Sequence, residues 1–166
     1  MTGPQANLLS PSAQRVQAAL AAAGLDCAVT EHATPARTSA EAAATLGCSV
    51  AEIAKSLVFR AGDDEPVLVV ASGGNRVDEA KLATLAGARI ARADPEFVRA
   101  VTGYAIGGIP PLAHARPLRT FVDRDLMRYA VVHAAGGTPR AMFPIAPADL
   151  VRVSGGTVAD VALAAR

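Results

Sequence analysis

The sequence predicts an α+β fold: a mixed, largely antiparallel sheet with helices packed around it. Three observations point there. Apolar, strand-prone segments come in runs instead of alternating strictly with helices. Helix-start signals recur ahead of alanine-rich stretches. Apolar residues make up 51% of the 166 residues but aromatics only 4%, with no tryptophan. Alanine, valine and leucine must then build the core, which suits helices lying close on a sheet. The length suits one domain with a real core, expected over residues 10–166 behind a flexible leader over residues 1–9.

The elements follow in order. Ser10 caps a helix with Pro11 at its first position, and Gly24 stops it. Cys27–Glu31 reads as a short strand, and a loop holds Pro35. Thr38-Ser39-Ala40-Glu41 has capping-box spacing and opens a helix that ends at Gly47; Ser49–Glu52 repeats the signal for a short helix. Lys55–Arg60 reads as a strand, Ala61–Glu65 as a turn and Pro66–Ala71 as the second strand of a hairpin. Asp78–Ala86 reads as a helix with Ala80, Leu82, Ala83 and Leu85 inward, and Arg89–Ala91 as a short strand. Asp94-Pro95 starts a helix that ends at Thr102-Gly103. Thr120–Val122, Ala130–Ala134 and Ala141–Ile145 read as strands, with Asp123–Arg128 and Gly136–Arg140 as turns. Pro147–Leu150 is expected as a helical turn, Val151–Val153 as a strand and Thr157–Leu163 as a closing helix.

Composition excludes several classes. A formal net charge of +1 gives no long-range field for nucleic acid, so contact with RNA must be local or carried by a partner. DNA is not an expected partner. No apolar run approaches ~18 residues and no basic region precedes an apolar one, so neither a membrane span nor a signal peptide is expected. Cys27 and Cys48 form no CxxC pair and read as free thiols in a reducing cytoplasm. The histidines, His32, His114 and His133, are never paired at i, i+4. No metal and no cofactor is expected. GxSxG and SxxK motifs are missing.

Two places remain for chemistry. Gly103–His114 joins Gly107-Gly108 to Pro110-Pro111. The glycines bare the main chain and the prolines stiffen it, and Ile109, preceding a proline, is pushed toward extended geometry. Such a loop serves either to grip a small ligand through main-chain groups or simply to turn the chain. Lys55, followed by Ser56, stands where a helix hands over to an apolar strand. In a cleft it acts as a desolvated base or as a cation for a phosphate, carboxylate or oxyanion; at a sheet edge it is only solvated. His133, in an apolar strand before Gly136-Gly137, is the histidine best placed to face a pocket.

The order Thr38-Ser39-x-Glu41, Ile53-x-Lys55-Ser56-Leu57-Val58-Phe59, Asp78-x-x-Lys81-Leu82, Ala93-Asp94-Pro95, Thr102-Gly103-Tyr104-x-x-Gly107-Gly108-x-x-Pro111 and Val122-Asp123 resembles the YbaK/EbsC family. That family is related to the editing domain inserted in bacterial prolyl-tRNA synthetases. The resemblance covers roughly Leu20 to the end of the chain. It implies a freestanding, cytoplasmic deacylase that hydrolyses mischarged aminoacyl-tRNA carrying Ala, Cys, Ser or Thr. Its partners would be aminoacyl-tRNA and an aminoacyl-tRNA synthetase. The alternative is a non-catalytic module for a tRNA end or a synthetase. The resemblance implies catalytic roles for Lys55 and the Gly108 amide. It implies substrate contacts from Thr38, Ser56, Gly107, Ile109, Pro110, Pro111 and His133. Pro110, Ala113 and His133 depart from the family's usual residues and narrow the pocket.

Overall fold

Helix starts fall where side-chain caps dictate. The computed structural model describes residues 9–164. Ser10 accepts from the Ala13 N–H and opens α1 (Pro11–Ala22). Thr38 accepts from the Glu41 N–H and opens α2 (Ser39–Leu46). The carboxylates of Asp78 and Asp94 open α3 (Glu79–Ala86) and α4 (Pro95–Thr102) in the same way. Gly47, Gly87 and Gly103 close α2, α3 and α4 in the left-handed conformation that lacks a penalty only for glycine. The expected leader falls outside the described residues at positions 1–8. Leu9, its last residue, packs against the core.

The strands are β1 (Thr30–Glu31), β2 (Ile53–Ala61), β3 (Glu65–Ser72), β4 (Ile90–Arg92), β5 (Arg119–Asp123), β6 (Val132–Ala135), β7 (Ala141–Ile145) and β8 (Thr157–Ala159). They form one sheet in the order β1-β7-β6-β2-β3-β5-β8, with β4 also paired to β2. The pairs β1–β7, β2–β3, β2–β4 and β6–β7 run antiparallel; β2–β6, β3–β5 and β5–β8 run parallel. The sheet is therefore mixed, as the runs of strands predict.

Strand alternation sorts the core. On one face Ala54, Val58, Leu68, Val70 and Val122 pack with residues of α1 and α4 and with Leu150 of α5 (Pro147–Ser154). The other face is split. Phe59, Val67, Val69 and Ala71 pack with Leu82 and Ala86 of α3. Ile53 and Met142 pack with Ala42 and Ala43 of α2. Lys55 stands on this second face, between the two clusters.

Several expectations are corrected. Only Thr30–Glu31 of the strand expected at Cys27–Glu31 pairs. Upstream, Gln17 of α1 takes the main chain instead, donating to the Cys27 carbonyl and accepting from the Val29 N–H. Ala80 is exposed, and Ala86 is buried in its place. Val151–Val153 belongs to α5, whose Pro147 start and buried Leu150 outweigh the strand preference of two valines. The expected closing helix at Thr157–Leu163 begins instead as β8. Gly156 lets it run close to β5, since a Cβ there would sit 2.8 Å from Val122 Cγ2.

Candidate functional site

The site begins with an interruption. β3 pairs with β2 from Ala54 to Ala61. On its other edge β2 meets β6 only at Ile53–Ala54 and β4 only at Phe59–Ala61. Among the described residues, Lys55, Ser56, Leu57 and Val58 have no strand partner on that side. Antiparallel alternation points the main-chain groups of Ser56 and Val58 out of this edge, because Ile53, two and four residues from Lys55 and Leu57, gives its carbonyl to the Gly73 N–H on the β3 side.

Two chambers open at this gap. The first, about 540 Å³, is walled by Thr38, Ser39 and Ala42 around α2, by Ile53, by Ala135 of β6 and by Met142 of β7. The second, about 530 Å³, lies toward β4 and α4. They share Lys55, Ser56, Leu57, Ile106 and Ile109, which form a neck between them. Ser56 Oγ is buried at this neck with no hydrogen-bond partner among the described residues, so its hydrogen-bonding capacity is unused there.

Lys55 is half-buried. Burial first, and then the Arg76 guanidinium, push its amine below the ordinary lysine range, while the Asp123 carboxylate pulls the other way. Asp123 is fully buried at the end of β5. It accepts from the Ser72 N–H at 3.1 Å, Asn75 Nδ2 at 2.9 Å and the Asp125 N–H at 2.9 Å. One carboxylate thus fixes the Ser72–Asn75 turn and faces the lysine's sheet face. That turn is pressed against its surroundings: a Cβ on Gly73 would lie 2.5 Å from the Val50 carbonyl oxygen.

The loop after α4 reaches the neck from the opposite face. Ile109 is buried with the α1–α4 core and lines the same cavity as Lys55. Tyr104, 2% exposed, donates its hydroxyl to the Ala113 carbonyl at 2.9 Å and latches the loop shut. His114 Nε2 donates to the Pro110 carbonyl at 2.7 Å. Burial lowers the His114 pKa, and that carbonyl partly offsets it. Ala113 holds φ +66, a left-handed conformation that costs a Cβ-bearing residue about 1–2 kcal/mol. Ala113→Gly is expected to raise stability by about 1 kcal/mol and the melting temperature by about 2–4 °C, read by calorimetry. An unchanged or lower value would show no relievable strain there.

The structure brings Lys55, Ser56, Thr38, Gly107 and Ile109 onto one cavity wall. It does not bring the others. Gly108 is buried off the wall, with its N–H donated to the Ala105 carbonyl at 3.0 Å. It is glycine because its backbone lies against Thr138. Pro110 and Pro111 are buried behind the wall. His133 pairs in register with Ile53, beside Glu52 and away from the neck. Ala135, two residues on and on the same face of β6, takes the wall position. Ser39, beside the Thr38 cap, also lines the chamber, as do Arg37 and Met142, which carry no local motif. Burial raises the pKa of Cys27 and Cys48, so both stay thiols.

Comparison with known proteins shows the family. The aminoacyl-tRNA editing domain family matches residues 33–153. Protein YwhH of Bacillus subtilis (strain 168), itself uncharacterized, is 34% identical over 126 residues, spanning 76% of this chain and 80% of that one. An Enterococcus faecalis (strain ATCC 700802 / V583) protein named "Putative Cys-tRNA(Pro)/Cys-tRNA(Cys) deacylase EbsC" is 26% identical over 125 residues, spanning 74% and 76%. A crystal structure of "a putative trans-editing enzyme for prolyl tRNA synthetase" superposes with a TM-score of 0.89 at 46% identity, covering 94% of this chain and 99% of that one.

Proposed function

The chain belongs to the aminoacyl-tRNA editing domain family, and from that premise we propose that it is a trans-acting deacylase of mischarged aminoacyl-tRNA. The observation that supports this best is the neck, where an ammonium, a buried hydroxyl and a stiff loop meet on one cavity. A synthetase pocket rejects a slightly smaller amino acid by only about 1–3 kcal/mol, so a second hydrolytic site is useful.

The first chamber receives the amino acid. Its inner wall of Ala42, Ala135, Ile53 and Met142 suits a small side chain such as that of Ala, Cys, Ser or Thr. The ester lies at the neck. Water attacks the carbonyl carbon, and the negative charge that develops on its oxygen is met by the Lys55 ammonium and by main-chain N–H groups beside Gly108. The bond to the ribose oxygen then breaks, that oxygen takes the proton, and free amino acid and tRNA result. An aminoacyl ester is already activated, so positioning and charge suffice. The reading puts the protein in the cytoplasm, beside a synthetase that makes the error.

A deacylation assay over a panel of mischarged tRNAs tests it. Release of a small amino acid from at least one tRNA is expected; binding without release from any of them would make the chain a recognition module. The pH profile tests the role of the lysine. The charged form does the work, so kcat/KM must fall as pH rises through the Lys55 pKa. Because that pKa is lowered, the fall comes below the ordinary lysine value of about 10.4. A rate that climbs through this range, after subtraction of hydroxide hydrolysis, would assign Lys55 as a neutral base.

A further inference from the structure

Across Pro110-Pro111 the main chain has no N–H to give, so the loop cannot hold itself there through its own donors. Both prolines are buried, as are Gly108, Ile109 and Leu112. The base of the loop is well tied. The Ala115 N–H donates to the Thr102 carbonyl at 2.9 Å. Thr102 is fully buried, and its hydroxyl donates to the Val98 carbonyl at 2.7 Å and accepts from the Tyr104 N–H at 3.0 Å. The Tyr104 hydroxyl then holds the Ala113 carbonyl. Between this base and the neck one side chain acts. His114 reaches back four residues to the Pro110 carbonyl, and among the described residues this is the one hydrogen bond made to any group of Ile109–Leu112. A carbonyl can only accept, so Nε2 carries the ring's proton. Burial lowers the ring's pKa and so favours the neutral form. The left-handed turn at Ala113, φ +66, stands between ring and carbonyl and folds one onto the other.

We propose that His114 is a positioning residue: its Nε2–H fixes the Pro110 peptide, and through it the place of Ile109 and Gly107 on the cavity wall beside Lys55. His114 lines neither chamber, so it acts through the loop and not on the substrate. Its effect on rate rests on the deacylase reading; its effect on the loop does not. The competing account is that the ring merely fills space behind the wall. A side chain of similar bulk without a donor would then serve as well. It would also leave the Pro110 carbonyl without the one donor that reaches it, a cost that a buried acceptor passes to the backbone carrying it.

Three variants separate the donor from the bulk. In H114Q the amide nitrogen stands as many bonds from the main chain as Nε2 and can donate to the carbonyl. In H114N it stops one bond short, and in H114L there is no donor. Deacylation is measured on the whole protein, at a temperature where calorimetry shows each variant folded. H114L and H114N are expected to lose about tenfold in kcat through misplacement of the loop. Their KM should stay within about twofold of the parent, because no cavity contact is removed. H114Q should recover to within about threefold of the parent kcat. Amide spectra of the same samples should show Gly107 and Ile109 shifted in H114L and H114N and close to the parent in H114Q. If H114L does not fold, the asparagine and glutamine variants carry the comparison. An H114L or H114N protein with the parent's kcat, an H114Q protein as impaired as H114N, or a loss confined to KM would overturn the proposal. So would amide shifts that stop short of Ile109. If the parent deacylates no tRNA, the deacylase reading falls, and the amide spectra alone decide whether His114 sets the loop.

Discussion

Lys55→Ala is expected to lower kcat/KM for aminoacyl-tRNA deacylation by about a hundredfold to a thousandfold, the cost of removing one stabiliser of a developing oxyanion. The fold should survive it. Burial and Arg76 both disfavour the charged amine, and only Asp123 favours it. Removing the cation therefore relieves a desolvation cost, and Asp123 keeps its three hydrogen bonds. The melting temperature should stay within a degree or two of the parent. Lys55→Arg should recover little, because a planar fork does not replace a compact ammonium at a narrow neck. Single-turnover assays on a charged tRNA, with calorimetry on the same samples, make the comparison. Activity retained in the alanine variant would take Lys55 out of the mechanism.

Gly108→Ala should be a severely disruptive single methyl at the site. A Cβ there would lie 2.6 Å from Thr138 Cα and 2.7 Å from its carbonyl carbon. Backbone cannot rotate aside as a flexible side chain can. The Thr138 turn is also pinned: its carbonyl accepts from the Ala141 N–H, and its hydroxyl accepts from the Arg140 N–H while donating toward Glu31. Overpacking of this kind costs about 1–3 kcal/mol, or a fall in melting temperature of about 2–12 °C in a chain of this size. The loop must move, and Gly107 and Ile109 move with it. Deacylation should drop by about tenfold to a hundredfold through misplacement alone. Gly107→Ala is the control. It meets only Pro139 Cγ, at 3.7 Å, but forces φ +96 on an alanine, so its cost is strain without collision. A Gly108→Ala protein as stable and active as the parent would show that the Thr138 turn yields.

Much of this was legible in the sequence because the signals are local. Ser10, Thr38, Asp78 and Asp94 cap helices through atoms two or three residues away, and such chemistry does not wait for tertiary structure. Lys55 was legible for a related reason, since a cation beginning an apolar strand needs an explanation. What was not legible depends on pairing. The open edge of β2 exists only because β6 stops at Ala54 and β4 starts at Phe59, and neither limit is written in β2 itself. His133 and Ala135 share a face of β6, and only the parallel register decides which one borders the neck. Gly108 looked like a bare donor, but its N–H closes a turn and its missing side chain serves Thr138. At the C-terminal end, valines favoured strand where a proline start and a buried leucine imposed helix.

The four-residue interruption in β2 also bears on self-association. An unpaired strand border invites another chain to extend the sheet, and long, flat, apolar borders are the ones that aggregate. Here the free stretch is about 13 Å long at ~3.3 Å per residue, carries a lysine, and is roofed by Ile106 and Ile109. It is too short and too covered for a foreign strand to zip along. Something small and extended still fits, so the protein keeps its backbone groups available to a ligand without becoming a template for fibrils.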